Sequence, residues 1–164
     1  MLDNCQTLLD HWGGVNEIID RWLEERRELL VKYCELSEIQ AFDGGNTEHG
    51  NKLQGFCELM VDYVSVGHFE VFEQLASEGK AFSDNEGLRV GAELVEAIQP
   101  STEVLLDFND KYLATDDLQA LTVDLSTIGE VLAQRFESED KMIEVLHNAH
   151  VPALLEGSQT NSVQ

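Results

Sequence analysis

The sequence contains few proline residues, few basic residues and no long hydrophobic run. Only 2 of the 164 residues are proline, so long helices meet few interruptions. Lysine and arginine together number 10 against 32 acidic residues, which gives a net charge of −22. A surface of this charge repels nucleic acids and anionic membranes and attracts basic partners. We therefore expect neither a nucleic acid nor a membrane as a direct partner.

Cysteine is also scarce, and its spacing argues against two kinds of site. The 3 cysteines are an odd number without a CxxC pair, which disfavours a disulfide framework and a zinc site. The first residues lack the basic region and apolar run of a signal peptide. No stretch approaches the ~18 apolar residues that span a bilayer. We expect a cytoplasmic protein that holds no metal and no cofactor.

Apolar residues make up 43% of the chain, enough for a single folded domain with one core. We predict this domain over residues 1–152 and a disordered tail over 153–164, because Pro152 ends the last helix and the residues after it are mostly polar. Helical periodicity over most of the chain predicts an all-α fold, an up-down-up-down four-helix bundle.

Turn residues set the predicted helix boundaries. A short extra N-terminal helix is predicted over residues 1–12, followed by a break or a kink at Gly13-Gly14. Thr47 or Asn51 should cap the second long helix, and Pro100 should kink or split the third long helix near Gln99. The four long helices are predicted at about 15–39, 52–77, 85–113 and from Asp116-Asp117 to about His150.

The second helix has two faces with apolar residues. Its core-facing stripe consists of Phe56, Met60, Val64, Gly67, Val71 and Leu75. The opposite face should meet water, yet it carries Glu58, Asp62, Ser65, Val66, Phe69 and Glu73. A phenylalanine among carboxylates predicts a docking site for a basic partner. A second core contact and a chance exposed ring are the alternatives, and a weak homodimer is also compatible with such a face.

Two charged residues interrupt apolar stripes. Arg26 lies within the stripe of the first helix, and Glu139 lies at the centre of the stripe of the last helix. Since a buried charge is costly unless it is paired, we predict that Arg26 pairs with Glu139 across the two helices. Arg135 lies one turn from Glu139, and His68 is expected nearby. These four residues form either an internal polar pocket or a buried ion pair that fixes helix register.

Motifs of catalysis are missing from the sequence. It contains no P-loop, dinucleotide-binding, HExxH or GxSxG pattern, so we predict that the protein is not an enzyme. A single Glu-x-x-His pair, Glu144 and His147, is interpreted as surface chemistry because a di-iron bundle needs two. The alternative class is a phosphotransfer or small-ligand-binding bundle that uses the internal polar residues. His68 fits phosphotransfer poorly, since carboxylates near it would repel a phosphate.

Short blocks of residues in three of the predicted helices resemble a known family. They are DRWL and LLV (residues 20–23 and 29–31), VDYVSVGHF (61–69) and IGEVLAQRFESEDK (128–141). These blocks are similar to the Rsd/AlgQ family of bacterial anti-sigma factors. The opening WGGV (12–15) and IDRWLEER (19–26) are closest to the AlgQ branch. The resemblance covers about residues 1–150, and it is weak in the loops and around Pro100.

The resemblance implies a regulator of transcription that acts by binding another protein. Members of this family are four-helix bundles that bind the primary sigma factor of RNA polymerase at its C-terminal region (region 4). Binding sequesters that region from the −35 promoter element and from core polymerase. On the matching positions Asp62 is the charged contact, supported by Ser65, Gly67 and Phe69. Val66 replaces a residue that is usually small in the family, so packing there should differ.

Overall fold

The computed structural model describes the backbone of residues 2–152 and the side chains of residues 15–152. All regular secondary structure within this range is helical. The elements are α1 (Leu2–Ser37), α2 (Thr47–Val66), a π-helical turn (Gly67–Val71), α3 (Phe72–Ala81), α4 (Asn85–Ala114), α5 (Leu121–Leu146) and a 3-10 turn (Asn148–His150). The predicted tail over 153–164 lies outside the described residues.

The first helix is longer than the sequence predicts. It continues through Gly13-Gly14 and ends at Ser37, so the prediction of a separate N-terminal helix with a break at the glycine pair was wrong. Each glycine costs about 1 kcal/mol relative to alanine in a helix interior. The helix nevertheless continues through the pair, because extending an existing helix adds one hydrogen bond for each residue that it fixes.

The second long helical segment combines α2, the π-helical turn and α3 without interruption. Asn46 caps it, and neither Thr47 nor Asn51 does. The Asn46 side-chain oxygen accepts hydrogen bonds from the backbone N–H groups of Glu48 at 2.9 Å and His49 at 3.3 Å. An asparagine is among the preferred residues at this position, and the helix therefore begins earlier than the apolar periodicity indicates.

α4 runs through Pro100 as one helix, so the predicted split near Gln99 does not occur. Proline removes the hydrogen bond to the carbonyl four residues earlier. That residue, Glu96, is exposed and so is Pro100, which allows solvent to satisfy the freed carbonyl. Asp84 caps the start of α4 by accepting a hydrogen bond from the N–H of Gly87 at 2.8 Å.

α5 begins after the predicted position. Asp116 and Asp117 precede it, and the Asp117 carboxylate accepts a hydrogen bond from the N–H of Gln119 at 3.0 Å in the turn before the helix. The apolar stripe of α5 is confirmed, because every predicted member is buried: Leu118, Leu121, Leu125, Ile128, Leu132, Phe136, Ile143 and Leu146.

Contacts between the helices confirm the up-down-up-down bundle. The rings of Tyr33 on α1 and Phe56 on α2 are 6.0 Å apart, whereas Trp22, earlier on α1, stacks on Tyr63, later on α2. These neighbours therefore run in opposite directions. α4 and α5 are also antiparallel, since Lys111 pairs with Asp124, while Thr102, earlier on α4, bonds to Arg135, later on α5.

The end of α5 is fastened to the α3–α4 connection by two histidines. His147 is buried, and its Nδ1 lies 2.8 Å from an oxygen of Glu78, a carboxylate with 0% exposure. His150 lies 2.8 Å from Asp84 and stacks on the ring of Phe82. The interpretation of His147 as surface chemistry was therefore wrong, although Glu144 is exposed.

Candidate partner-binding face and internal polar cluster

The outer face of the second helical segment is the surface defined by Glu58, Asp62, Ser65, Val66, Phe69 and Glu73. Its three carboxylates are exposed, and the side chain of Phe69 is 68% exposed. Ser65 and Val66 are half-buried, and Val66 packs against the core. An exposed aromatic ring surrounded by acidic groups is therefore present where the sequence predicts it.

Gly67 does not belong to this face. It is buried, and a Cβ atom at this position would lie 2.9 Å from Cζ2 of Trp22. The close approach of α1 is therefore the reason for glycine here. Gly67 offers no side chain to a partner and is better described as a support for the outer face.

Acidic residues of α1 extend the outer face, and the helical-wheel reasoning missed them. Glu25 is half-buried. Burial raises the pKa of Glu25, and the like charges of Asp62, Glu28 and Glu70 raise it further. Since these groups repel one another, they lie close enough to create one negative field across α1 and α2.

His68 lies outside the internal cluster to which the sequence analysis assigned it. It is exposed, and its ring makes edge-to-face contacts with Phe69 at 4.9 Å and Phe72 at 6.5 Å. It borders a surface cleft of about 120 Å³ with Gln99, Thr102 and Arg135.

The internal cluster joins α1, α2 and α5 through Tyr63. The Nε of Arg26 donates to the hydroxyl of Tyr63 at 2.9 Å, and that hydroxyl donates to Oε1 of Glu139 at 2.8 Å. The predicted pair is present, since Nη2 of Arg26 lies 3.6 Å from Oε1 of Glu139. Arg26 also bonds to Asp140, which is exposed. Tyr63 was not predicted as a member of the cluster, because the prediction used charged residues within apolar stripes and tyrosine is uncharged.

Arg135 extends the cluster to α4. Its Nη1 donates to the hydroxyls of Ser101 at 2.9 Å and Thr102 at 2.7 Å. Its Nε lies 3.4 Å from Oε2 of Glu139, and both side chains are almost fully buried. The cluster thus connects all four long helical segments through polar contacts.

Burial has the largest effect on the pKa of Glu139, the carboxylic acid of the cluster. It raises the pKa of Glu139 to about 7, although Arg135, Tyr63 and Arg26 each oppose the shift. Burial and the neighbouring Glu139 also raise the pKa of Tyr63, so its hydroxyl keeps its proton and can donate. The cluster has the properties of a buried network that fixes helix register.

Neither of these sites shows the chemistry of a metal centre. Among the side chains of residues 15–152, no group of three or more His, Cys, Asp or Glu is placed to hold a metal ion. A cleft of about 400 Å³ lies elsewhere, between the start of α2 and the end of α4, and is bordered by Asn46, Gln54 and Asp116. Over the described range, none of the helices combines the length and apolar character required to cross a membrane.

Comparison with known proteins identifies relatives along nearly the whole chain. The sequence profile of the family described as "Regulator of RNA polymerase sigma(70) subunit, Rsd/AlgQ" matches residues 1–147. A protein of Pectobacterium carotovorum named "Regulator of sigma D" is 35% identical over 153 residues, which is 90% of this chain and 99% of that protein. A protein of the same name from Yersinia enterocolitica is 34% identical over 149 residues, 88% of this chain and 89% of its own length.

These matches include the first two helical segments with the outer face and the part of α5 that holds Arg135 and Glu139. They support the regulator hypothesis and give no support to the phosphotransfer or ligand-binding alternative. Assignment to the AlgQ branch stays a prediction. This chain belongs to the Rsd/AlgQ family, regulators of the RNA polymerase sigma(70) subunit.

Proposed function

We propose that this protein is an anti-sigma factor that binds the C-terminal region of the primary sigma factor through the outer face. Family membership supports sigma as the partner, and the single structural observation that carries the proposal is Phe69, 68% exposed among carboxylates. The protein acts by binding alone and catalyses no reaction. Its place of action is the cytoplasm, where RNA polymerase works.

Charge provides the mechanism of competition. The C-terminal region of sigma reads the −35 element, and DNA-reading modules carry lysine and arginine that contact phosphates. Asp62, Glu58 and Glu73 present carboxylates to these basic groups, and Glu25 and Glu28 of α1 add to the same field. Sigma that is held in this way contacts neither promoter nor core polymerase through that region.

Apolar burial then supplies affinity at the centre of the interface. Binding energy concentrates in a few buried residues, with aromatic residues prominent among them. Phe69 is the exposed aromatic ring of the outer face, and covering it removes apolar area from water. Val66 and Ser65 lie half-buried beside it and shape the surface that a partner's apolar side chain would meet.

Calorimetric titration against the isolated C-terminal region of the primary sigma factor tests the proposal. We expect a 1:1 complex, and we expect Phe69→Ala to weaken it by about 2 kcal/mol. Leu113→Ala is the matched control, because Leu113 is 70% exposed on α4 and lies outside the outer face. Equal affinity of wild type and Phe69→Ala, both folded, would contradict the assignment of the outer face.

Asp62→Ala tests the charged contact separately. We expect a loss of about 2 kcal/mol if its partner is an arginine that becomes buried. Asp110→Ala changes the net charge equally at an exposed position of α4, so it controls for the overall field. Normal binding by a folded Asp62→Ala protein would remove Asp62 from the interface.

A further inference from the structure

One buried side chain of α1, Trp22, contacts both sides of the π-helical turn that carries Phe69. Its indole is 1% exposed. It stacks on Tyr63, before the turn, with ring centroids 4.8 Å apart and planes 5° from parallel. After the turn, the ring of Phe72 meets it edge-on at 6.0 Å. Between these two contacts the indole lies directly against the backbone of Gly67.

Trp22 also makes a hydrogen bond at the start of the turn. The N–H of Gly67 is shared between the carbonyls of Tyr63 and Val64, and the indole N–H of Trp22 donates to the carbonyl of Tyr63 at 3.1 Å. This bond is buried. The bond from Gly67 to Tyr63 is an ordinary α-helical one, four residues apart, so the indole adds a second donor to a carbonyl just before the turn. The side chain thus ties the backbone at the start of the turn to α1.

The turn determines the direction of Phe69. The N–H of Phe72 bonds to the carbonyl of Gly67, five residues earlier, so the turn holds more residues than an α-helical turn. Asp62 and Phe69 are seven residues apart, so a regular α-helix would also bring them to one face, and the wider turn changes the direction and distance of Phe69 relative to Asp62. Both side chains are exposed, and a partner can engage them together only if their relative direction is fixed.

We propose that Trp22 is a positioning residue for partner binding, which packs against Gly67 at the base of the π-helical turn and so fixes the direction and depth of Phe69 relative to Asp62. The proposal rests on the proposed function for the identity of the partner. Trp22 itself stays buried and touches the partner nowhere. Its effect on affinity is transmitted through Gly67 and the carbonyl of Tyr63.

The first test compares wild type with Trp22→Phe, which keeps an aromatic ring but lacks the N–H donor. In the free protein, we expect amide hydrogen exchange to accelerate at residues 67–72 and to stay unchanged at residues 47–62. Affinity for the isolated C-terminal region of the primary sigma factor should fall about tenfold, the equivalent of one hydrogen bond. Unchanged exchange at 67–72 would overturn the proposal, as would faster exchange with unchanged affinity.

Leu36→Ala serves as the control for general destabilisation. Leu36 is 0% exposed on the same helix, about 20 Å along the axis from Trp22 at 1.5 Å per residue. While it is folded, this variant should bind as wild type does. A loss of affinity equal to that of Trp22→Phe would overturn a specific role for Trp22.

A second variant changes the same contact from the side of the turn. Gly67→Ala would place a Cβ atom 2.9 Å from Cζ2 of Trp22, so the indole and the turn have to move apart. We expect a folded protein with faster exchange at residues 67–72 and an affinity at least tenfold lower, and wild-type affinity would overturn the proposal. Absence of binding by wild type itself would overturn the proposed function. The hydrogen-exchange comparison uses the free proteins, so it tests the role of Trp22 separately from the identity of the partner.

Discussion

At the scale of single residues, Glu139 shows how burial and pairing compete. Burial disfavours its charged form, whereas two arginines and the Tyr63 hydroxyl favour it. The ion-pair distances of 3.4 Å and 3.6 Å are too long for strong hydrogen bonds, and within the described structure Oε2 of Glu139 has no hydrogen-bond partner. Desolvation therefore prevails, and this carboxyl group exchanges its proton near neutral pH.

Glu139→Gln should change how stability depends on pH. Its pKa is about 7 in the folded protein against 4.5 as the ordinary value, so between pH 5 and pH 8 the folded state binds more protons than the unfolded state. The free energy of unfolding of wild type should therefore fall by about 2 kcal/mol through this group as pH rises. The glutamine variant should lack this component. Urea unfolding at pH 5, 6, 7 and 8 measures the difference.

The control for this experiment is Glu137→Gln. Glu137 is exposed on the same helix, so its substitution changes the net charge equally without changing a buried group. Its stability profile should run parallel to that of wild type. Parallel profiles for Glu139→Gln as well would show that Glu139 has an ordinary pKa in the folded protein.

At the scale of helices, small residues set the distances between neighbours. A Cβ atom on Gly129 of α5 would lie 2.1 Å from the hydroxyl of Tyr33. That hydroxyl donates to the carbonyl of Leu125 at 2.8 Å, so α1 is tied to α5 at the place where α5 has no side chain. The glycine is required by this close approach.

Two glycine substitutions in helices should therefore have opposite effects. Gly129→Ala should destabilise the protein by about 2 kcal/mol, because Tyr33 must move and lose its hydrogen bond. Gly55→Ala in α2 should stabilise it by about 0.5–1 kcal/mol through helix propensity, since the nearest atom to an added Cβ is Nζ of Lys32 at 3.7 Å. Thermal unfolding of both variants measures the effects, and destabilisation of equal size in both would exclude the contact with Tyr33 as the cause.

Sequence periodicity predicted the helices and the faces that they bury, but not the irregular backbone. The stripe of α5 and the exposure of Phe69 follow from residue spacing alone. The π-helical turn does not, because the residue spacing in this segment also fits a regular α-helix. Tyr63 was missed as a link between Arg26 and Glu139 because a tyrosine within an apolar stripe is also a normal core residue.

At the scale of the whole molecule, charge governs encounter with the partner. The net charge of −22 comes from acidic residues along the entire chain, and the outer face contributes only part of it. Such a field attracts a basic partner over distances near the Debye length and accelerates association. The apolar contact at Phe69 is short-ranged and acts after encounter.

Salt should therefore act mainly on the association rate. Between about 0.05 M and 0.5 M salt we expect the rate constant for binding the sigma fragment to fall at least tenfold, with a smaller change in the dissociation rate. Stopped-flow mixing across this range measures both. For Phe69→Ala we expect the reverse pattern, a nearly normal association rate with faster dissociation. A dissociation rate that changes more with salt than the association rate would contradict charge steering.

The pairing of Glu78 with His147 links two residues that are 69 positions apart in the sequence. Glu78 is fully buried, and a buried polar group needs a hydrogen-bond partner. A chain that ends before His147 would still contain α3 with Glu78 but would lack the histidine 2.8 Å from it. We therefore expect truncation within the last turn of α5 to destabilise a contact that begins at α3, near the middle of the sequence.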